Sequence, residues 1–593
     1  TATAFFHSTM IQERRGMMKV WNFSLVILTF LLTIFGTYLT RSGVVQSVHA
    51  FGEDKKLATF FTTFMLILLV VSFGLLIKRY PELRARAQLE SALSREAAFL
   101  INNWILLVAM FFVMFATMFP TLSEAFTGER ISVGPPFFNR WMVPIGLALV
   151  FLTGIGPLIA WRHATPSHLK YQFTWPTAAA AVAVAICIAL GLQRESVSSI
   201  ICFAFCAFTA ATVVQEFARG ADIRRRNTGS DYVTAVLGMI VRGRRRYGGY
   251  IVHMGVVLMF VGFAGQAFQK EEEIHLRPGQ TVAFGRYDVR FDRLRHEEDR
   301  QKEMLTGDFT IFPRGEATKK DAKIVAQMRP ARWYYNGRNG EFTTEVAISR
   351  GLSEDLYLTL GGVDFSDGSG TFKVVINPLV DWVWLGFMML AIGTTIALMP
   401  ELALAPVAAR VTSAAGGAAA KGAGTAVLLL VLGLGLLGAN RAFAANDADT
   451  VRREMSWFGS NLRCMCAMGG RGCGHMLEDC GAECGGAPEF KREIKAMLEA
   501  GKTRDQIIAA FAERFGGMHV LGAPPDHGFN RLAWAFPYGL GLAGAGALAY
   551  SAWRFSKKNK GGGGSGQAAQ DRAITKDRDL EDKLEDELSR VDT

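Results

Sequence analysis

Long apolar runs alternate with short polar breaks along this chain, and many of the runs reach the roughly 20 residues that cross a bilayer as helix. Candidate spans are 21–39, 57–77, 99–119, 141–161, 175–192, 197–218, 249–267, 381–399, 424–440 and 532–553. Residues 1–10 read as the last turns of a further span, so a missing upstream portion or a partner chain is expected before them. The rhythm changes over 268–380. There TVAFGRYDVRFDRL, FTTEVAIS and DLYLTLG alternate with period two and are broken by Gly, Asp and Asn, the pattern of short β-strands.

Beyond the eighth span the character changes again. Residues 400–423 are an Ala/Gly-rich linker, and 424–445 follow the grammar of a secretory signal: a Lys, an apolar core, then Ala-Phe-Ala-Ala. That segment either stays as a span or is cut after about residue 444, and it marks a second exported protein fused in line. In 446–530, EFKREIKAMLEAG and TRDQIIAAFAERFG carry apolar residues at helical spacing. A last span follows at 531–555, then a GGGGSG linker and a charged cytoplasmic tail over 556–593.

The pattern therefore predicts a polytopic α-helical membrane protein with a small external β-rich domain and an external helical-bundle cysteine domain. A membrane bundle with the candidate sites fills 1–267, the β-rich domain 268–380, one transmembrane helix 381–399, and the helical cysteine domain 446–530.

Charge fixes an orientation. The net charge of +11 comes from basic residues beside spans, as in KRYPELRARAQ and the two RRR triplets. That is the positive-inside signature and implies no nucleic acid. Loops 11–20, 78–98, 162–174 and 219–248 are then cytoplasmic, and 40–56, 120–140, 193–196 and 268–380 lie outside. Five of the eight cysteines, Cys464, Cys466, Cys473, Cys480 and Cys484, fall outside on this topology, in an oxidising compartment. Cys187, Cys202 and Cys206 sit in apolar spans as packing residues.

Two histidines in apolar surroundings are the main chemical signal, because an imidazole in hydrocarbon is costly. His7 is six residues before Glu13 and His253 seven after Arg246, so each lies roughly 9–10 Å in from its flanking charge. Neutral imidazoles facing each other across a bundle can supply both axial bonds of a haem iron. The competing reading is two separate interhelical hydrogen bonds. Gly248, Gly249 and Gly255 flank His253 and serve either a flat macrocycle or plain helix packing. His49, in the outer loop LTRSGVVQSVHAF, is a candidate ligand for a second haem; the plain alternative is a solvated histidine. The cysteine cluster is read as a thiol–disulfide exchange site, against a structural disulfide framework or a zinc site that includes His475.

Over residues 1–400 the chain resembles the CcmF-type cytochrome c haem lyases. The resemblance rests on HSTMIQERRGMMKVW, GTYLTRSGVVQSVHAF, SREAAFLINNWILL, ISVGPPFFN, WMVPIGLALVFLTGIGPL, GGYIVHMGVV, RWYYNGRNGEFTTEVAI and DLYLTLG. It implies a membrane platform that takes haem from a haem chaperone and joins it to the CxxCH thiols of apocytochrome c. It implies that His7 and His253 are the axial ligands of a haem b and that His49 holds the substrate haem. The family's tryptophan-rich external segment and second external histidine have no counterpart in this chain.

Residues 446–555 resemble a CcmH-type thiol oxidoreductase through NLRCMC, RFGGMHVLGAPP and FNRLAWAFP. The family motif LRCxxC reads Leu462-Arg463-Cys464-Met465-Cys466 here, so Cys464 takes the first position and Cys466 stands one residue too close. Cys473, Cys480 and Cys484 are additional redox candidates. The implied whole is a cytochrome c haem lyase with a thiol–disulfide oxidoreductase domain in a bacterial inner membrane, soluble parts on the periplasmic side. Its partners are the chaperone, apocytochrome c, a thioredoxin-like thiol reductant and quinol as electron donor. A haem exporter, or a thiol–disulfide relay on a passive anchor, are the alternatives.

Overall fold

The computed structural model describes residues 1–44, 55–83, 94–128, 131, 133–159, 166–319, 321–336, 342–399, 447–465, 476–478, 480, 486–515, 517, 520–524, 526 and 528–559. They form two compact units: Thr1–Thr174 with Ser460–Arg463 and Arg504–Val591, and Trp175–Gly459 with Cys464–Thr503. Among the described residues, eight helices are long and apolar enough to cross a membrane, and they coincide with the first eight expected spans.

The first unit holds α1 (Ala2–Arg15), α2 (Lys19–Arg41), α3 (Lys55–Lys78), the short α4 (Tyr80–Leu83), α5 (Arg95–Thr127) and α6 (Pro135–Ile155). Local chemistry sets the helix ends. Ser94 accepts the Ala97 N–H as N-cap of α5, and Gly128 closes that helix in the left-handed region at φ 76°. Arg95 then donates to the carbonyls of Pro157 and Ile159, tying the start of α5 to the end of α6. The α7 helix (Pro166–Ala189) leads into the second unit.

There α8 (Val197–Thr228), α9 (Tyr232–Arg242), α10 (Arg244–Gly265) and α11 (Val380–Leu398) follow. The stretch 219–248, expected as a basic loop, is mostly helical. α8 runs on to Thr228, and Asp231 caps α9 by accepting the Val233 and Thr234 N–H groups.

Between α10 and α11 stands the β-rich domain, now seen as a sandwich. One sheet has the order β1 (Lys270–Leu276), β10 (Gly370–Pro378), β9 (Glu354–Val363), β8 (Ala347–Ser349). The other runs β2 (Thr281–Phe284), β3 (Tyr287–Glu298), β4 (Lys302–Pro313), β6 (Ala331–Tyr335), β7 (Phe342–Glu345), with β5 (Ala326–Met328) on β4. The β2–β3 hairpin turns on Gly285 at φ 57°, a conformation that L side chains resist. Alternate residues face inward: Val289, Phe291, Phe309 and Ile311 from one sheet meet Leu356, Leu358, Leu360, Phe372 and Val374 from the other. Phe291, Phe309 and Phe372 form the centre, with ring centroids 4.7–5.1 Å apart.

The sandwich is held at both ends by one helix pair. α10 and α11 pack along a glycine seam of heptad spacing, Gly248, Gly255 and Gly262 against Gly386 and Gly393. A Cβ at Gly255 would lie 2.7 Å from the Gly386 carbonyl oxygen, and one at Gly248 would lie 2.8 Å from that of Gly393. So Gly248 and Gly255 serve helix packing, while a Cβ at Gly249 would meet nothing within 4 Å.

The C-terminal region contributes α12 (Asp447–Asn461), α13 (Ala487–Glu499), α14 (Arg504–Phe515) and α15 (Arg531–Asn559). The stretches expected as a helical cysteine region and as the tenth span are thus helical where they are described. The segment 424–440 lies outside the described residues.

Candidate functional site

His7 stands midway along α1. Its Nδ1 donates to the Thr3 carbonyl at 2.8 Å, which makes Nε2 the nitrogen with the lone pair. A metal-ligating imidazole is commonly oriented through a hydrogen bond of its other ring nitrogen. The ring packs on Phe99 of α5 at 5.7 Å between centroids. Behind it, Ser8 donates to the Ala4 carbonyl and to the Asn22 amide oxygen, and Asn22 donates to Gln12 at 2.6 Å. These buried bonds fix α1 against α2 (residues 19–41). Arg15 reaches the buried Glu96 of α5 at 3.7 Å. Imidazole donor chemistry at His7 thus fits haem iron.

His253 stands on α10 in the second unit. Its position belongs to a regular stripe. Arg246 and Tyr250 reach Glu216, and the carbonyls of Val257, Phe260 and Ala264 accept from Cys206, Cys202 and Ser199. Those α10 positions recur at steps of three and four, so His253 lies on the side of α10 turned to α8. One turn from it is a polar cluster that the sequence reading passed over. Glu216, its side chain only 4% exposed, accepts from Arg246 at 2.9 Å, from Arg219 at 3.2 Å and from Tyr250 at 3.2 Å. The signal was available: Glu216 is the only acid within the expected span 197–218.

His49, Cys466, Cys473, Cys484 and His475 lie outside the described residues. Cys464 and Cys480 are described, and both are buried. Cys464 is 0% exposed. Leu462 pairs with Leu521 as an antiparallel bridge, the Arg463 N–H donates to Val520 at 2.8 Å and the Gly522 N–H to Asn461 at 2.9 Å. The chain is pinned up to the residue before Cys464. The Cys480 carbonyl accepts from Lys491 of α13 at 2.9 Å. Cys187, Cys202 and Cys206 are buried in their helices, as expected of packing residues. Among the described residues no group of three His, Cys, Asp or Glu could hold a metal ion.

In the sandwich, His275 meets Thr371 at 3.2 Å and His296 meets Glu303 at 2.7 Å, both on the surface. Burial opposes the charge of Asp308, but hydrogen bonds from Arg293 and Arg295 prevail and hold its carboxyl below the ordinary carboxylate range.

A bundle of apolar helices carrying a sandwich between its last two members defines a polytopic membrane protein with an external β-domain. Residues 267–378 match the family described as the CcmF C-terminal beta-sandwich, and residues 426–577 match CcmH, described as a cytochrome c biogenesis protein. The chain is 29% identical over 416 residues to the cytochrome c-type biogenesis protein CcmF of Pseudomonas aeruginosa, covering 70% of this chain and 60% of that one. It is 30% identical over 410 residues to CycK of Rhizobium meliloti, covering 67% and 56%. A solved structure titled cytochrome c heme lyase CcmF superposes with a TM-score of 0.51 at 23% identity, covering 67% of this chain and 58% of that one, and so shares the fold. The chain is thus CcmF-like through its bundle and sandwich and carries a CcmH-like region after them. It spans about three fifths of the length of the curated relatives it matches.

Proposed function

We propose that this chain works in cytochrome c maturation as a haem lyase component with its own thiol–disulfide region. The single observation that carries the reading is the union, in one chain, of a CcmF-like bundle and sandwich with a CcmH-like cysteine segment. The proposed location is the inner membrane of a bacterium, with the sandwich and cysteine region on the periplasmic side. The basic loops flanking the spans support that orientation.

His7 and His253 would hold a resident haem b through their imidazole nitrogens. The Thr3 carbonyl orients the His7 ring, and the Glu216–Arg246–Tyr250 cluster holds the α10 helix against α8. When bound there, haem b supplies one-electron reducing capacity, drawn from quinol, that keeps the substrate iron ferrous. His49 is the proposed ligand of the substrate haem delivered by a chaperone. The Cys464 thiolate attacks the disulfide of the apocytochrome pair. The second thiol, with Cys466 as its counterpart, completes the exchange. One apocytochrome disulfide is reduced, one forms in this chain, and a thioredoxin-like partner reduces it again. Cys473, Cys480 and Cys484 are candidates for the resolving role. Each apocytochrome thiol then adds across a vinyl group, sulfur to one carbon and hydrogen to the other, with no net oxidation.

The test is a reporter cytochrome with one CxxCH, produced in a host without its own haem lyase and thiol reductants. Haem staining after denaturing electrophoresis is expected with the intact protein. It is lost in Cys464→Ser and regained with added dithiothreitol, but lost in His49→Ala without such rescue. Full staining in His49→Ala would leave only a thiol relay, and staining in none of them would overturn the reading.

A further inference from the structure

The short helix α9 and the arginines around it have no part in the function proposed above. Between Glu216 and Arg246 the chain carries eight arginines against three acids. Two of those acids are occupied within the fold. Glu216 accepts from Arg219, Arg246 and Tyr250, and Asp231 caps α9 by accepting the Val233 and Thr234 N–H groups. The third, Asp222, is exposed on α8. Among the described residues, neither Arg224 nor Arg242 has a carboxylate within ion-pair distance.

The sequence of α9 suits a helix that lies along a membrane face. Its eleven residues, at 1.5 Å rise each, cover only about half of the hydrocarbon thickness. One side is packed: Ala235 and Met239 are buried with Val213 and Ala221 of α8 and Tyr247 and Tyr250 of α10. The other side is apolar and bare. Val233 and Leu237, one turn apart, keep 52% and 41% of their surface exposed. An exposed apolar stripe on a helix flanked by arginines belongs at the boundary of headgroups and acyl chains.

Gly238 is what lets Arg224 of α8 rest on α9. A Cβ at Gly238 would lie 2.6 Å from Nη2, 2.7 Å from Nε and 2.8 Å from Cζ of Arg224, so the guanidinium lies across the glycine. The charge that acts on it there is a like one, Arg242 in the last turn of α9. Two guanidiniums brought together repel, and an anion shared between them removes the repulsion. Each also presents a planar fork that matches phosphate oxygens.

We propose that Arg224 and Arg242, with the bare stripe of α9, bind an anionic phospholipid, its phosphodiester on the two guanidiniums and its acyl chains along Leu237 and Val233. Basic pockets between membrane helices take acidic headgroups by this chemistry. A soluble phosphate would satisfy the arginines and leave Leu237 and Val233 bare, so the apolar stripe decides for a lipid. The bound lipid clamps α9 to the end of α8. The site lies wholly within α8 and α9 and does not depend on a haem at His253.

The test uses the full chain in a neutral detergent, titrated with dioctanoyl-phosphatidylglycerol, with dioctanoyl-phosphatidylcholine and with inorganic phosphate. Hydrogen–deuterium exchange of the α9 amides reads binding, and exchange of the sandwich amides reports that each variant is folded. Phosphatidylglycerol is expected to protect α9, and the other two are not. Arg224→Gln with Arg242→Gln should weaken its binding by about thirtyfold, the scale of two arginine contacts at a membrane surface. Gly238→Ala keeps every charge and displaces only the flexible end of Arg224, and it should weaken binding by about fivefold. Arg226→Gln removes one charge from the same end of α8 and should change binding by less than twofold. Absence of protection by phosphatidylglycerol, or equal protection by phosphatidylcholine or by inorganic phosphate, would overturn the proposal. So would unchanged affinity in Gly238→Ala, or a loss in Arg226→Gln as large as in Arg224→Gln, for either result would leave only diffuse positive charge.

Discussion

Two glycines of one helix should respond in opposite ways to the same substitution. Gly249 and Gly255 both lie on α10, less than two turns apart. At Gly255→Ala the new methyl would stand 2.7 Å from the Gly386 oxygen and the Leu390 nitrogen, where ordinary contact begins at 3.4 Å. The shortfall, 3.4 less 2.7, obliges α10 and α11 to part by about 0.7 Å at that rung, for the obstacles are backbone atoms. A gap of that size forfeits a quarter to a half of each dispersion contact along the seam, and overpacking of this kind costs about 1–3 kcal/mol. At Gly249→Ala the methyl meets nothing within 4 Å, and the helix gains about 0.5–1 kcal/mol from the stiffer residue. The two variants should therefore differ by about 1.5–4 kcal/mol. Hydrogen–deuterium exchange of the α10 and α11 amides in detergent reads the difference, with protection in Gly255→Ala lower than in Gly249→Ala by about tenfold or more. Equal protection would refute a seam set by backbone approach.

Other outcomes follow from the same reasoning. Phe372→Ala empties the centre of the sandwich and should cost about 3–5 kcal/mol of its stability, read as faster proteolysis of residues 268–380. A hydrogen bond from the Lys302 ammonium, then the Gln301 and Lys302 N–H groups, lower the Asp299 carboxyl to about 2. A carboxyl lowered on folding stabilises the native turn above its unfolded value of 3.8, and that contribution disappears as pH falls through about 2. Amides at the β3–β4 turn should lose protection over that window, and Asp299→Asn should remove the dependence.

Much of the architecture was legible from the periods of the sequence. DLYLTLG alternates strictly because β9 is buried on one face, and Leu356, Leu358 and Leu360 all enter the core. The spans were legible because lipid demands unbroken apolar length. Which helices pack together was not, since an apolar stripe does not name its partner. The pairing of α15 with α5 depends on Phe536 and Phe115 finding one register. The stretch 219–248 read as a loop because its arginines masked the helix α9, which Asp231 caps. The glycines near His253 left two meanings open, and only the approach of α11 separates Gly248 and Gly255 from Gly249.

The central claim, that His7 and His253 together hold one haem, is tested most directly by the absorption spectrum of the purified chain. The account predicts a six-coordinate low-spin b-type spectrum in the intact protein, lost in His7→Ala and lost equally in His253→Ala, with the protein still folded by exchange protection of the sandwich. A spectrum that survives unchanged in both variants would contradict it.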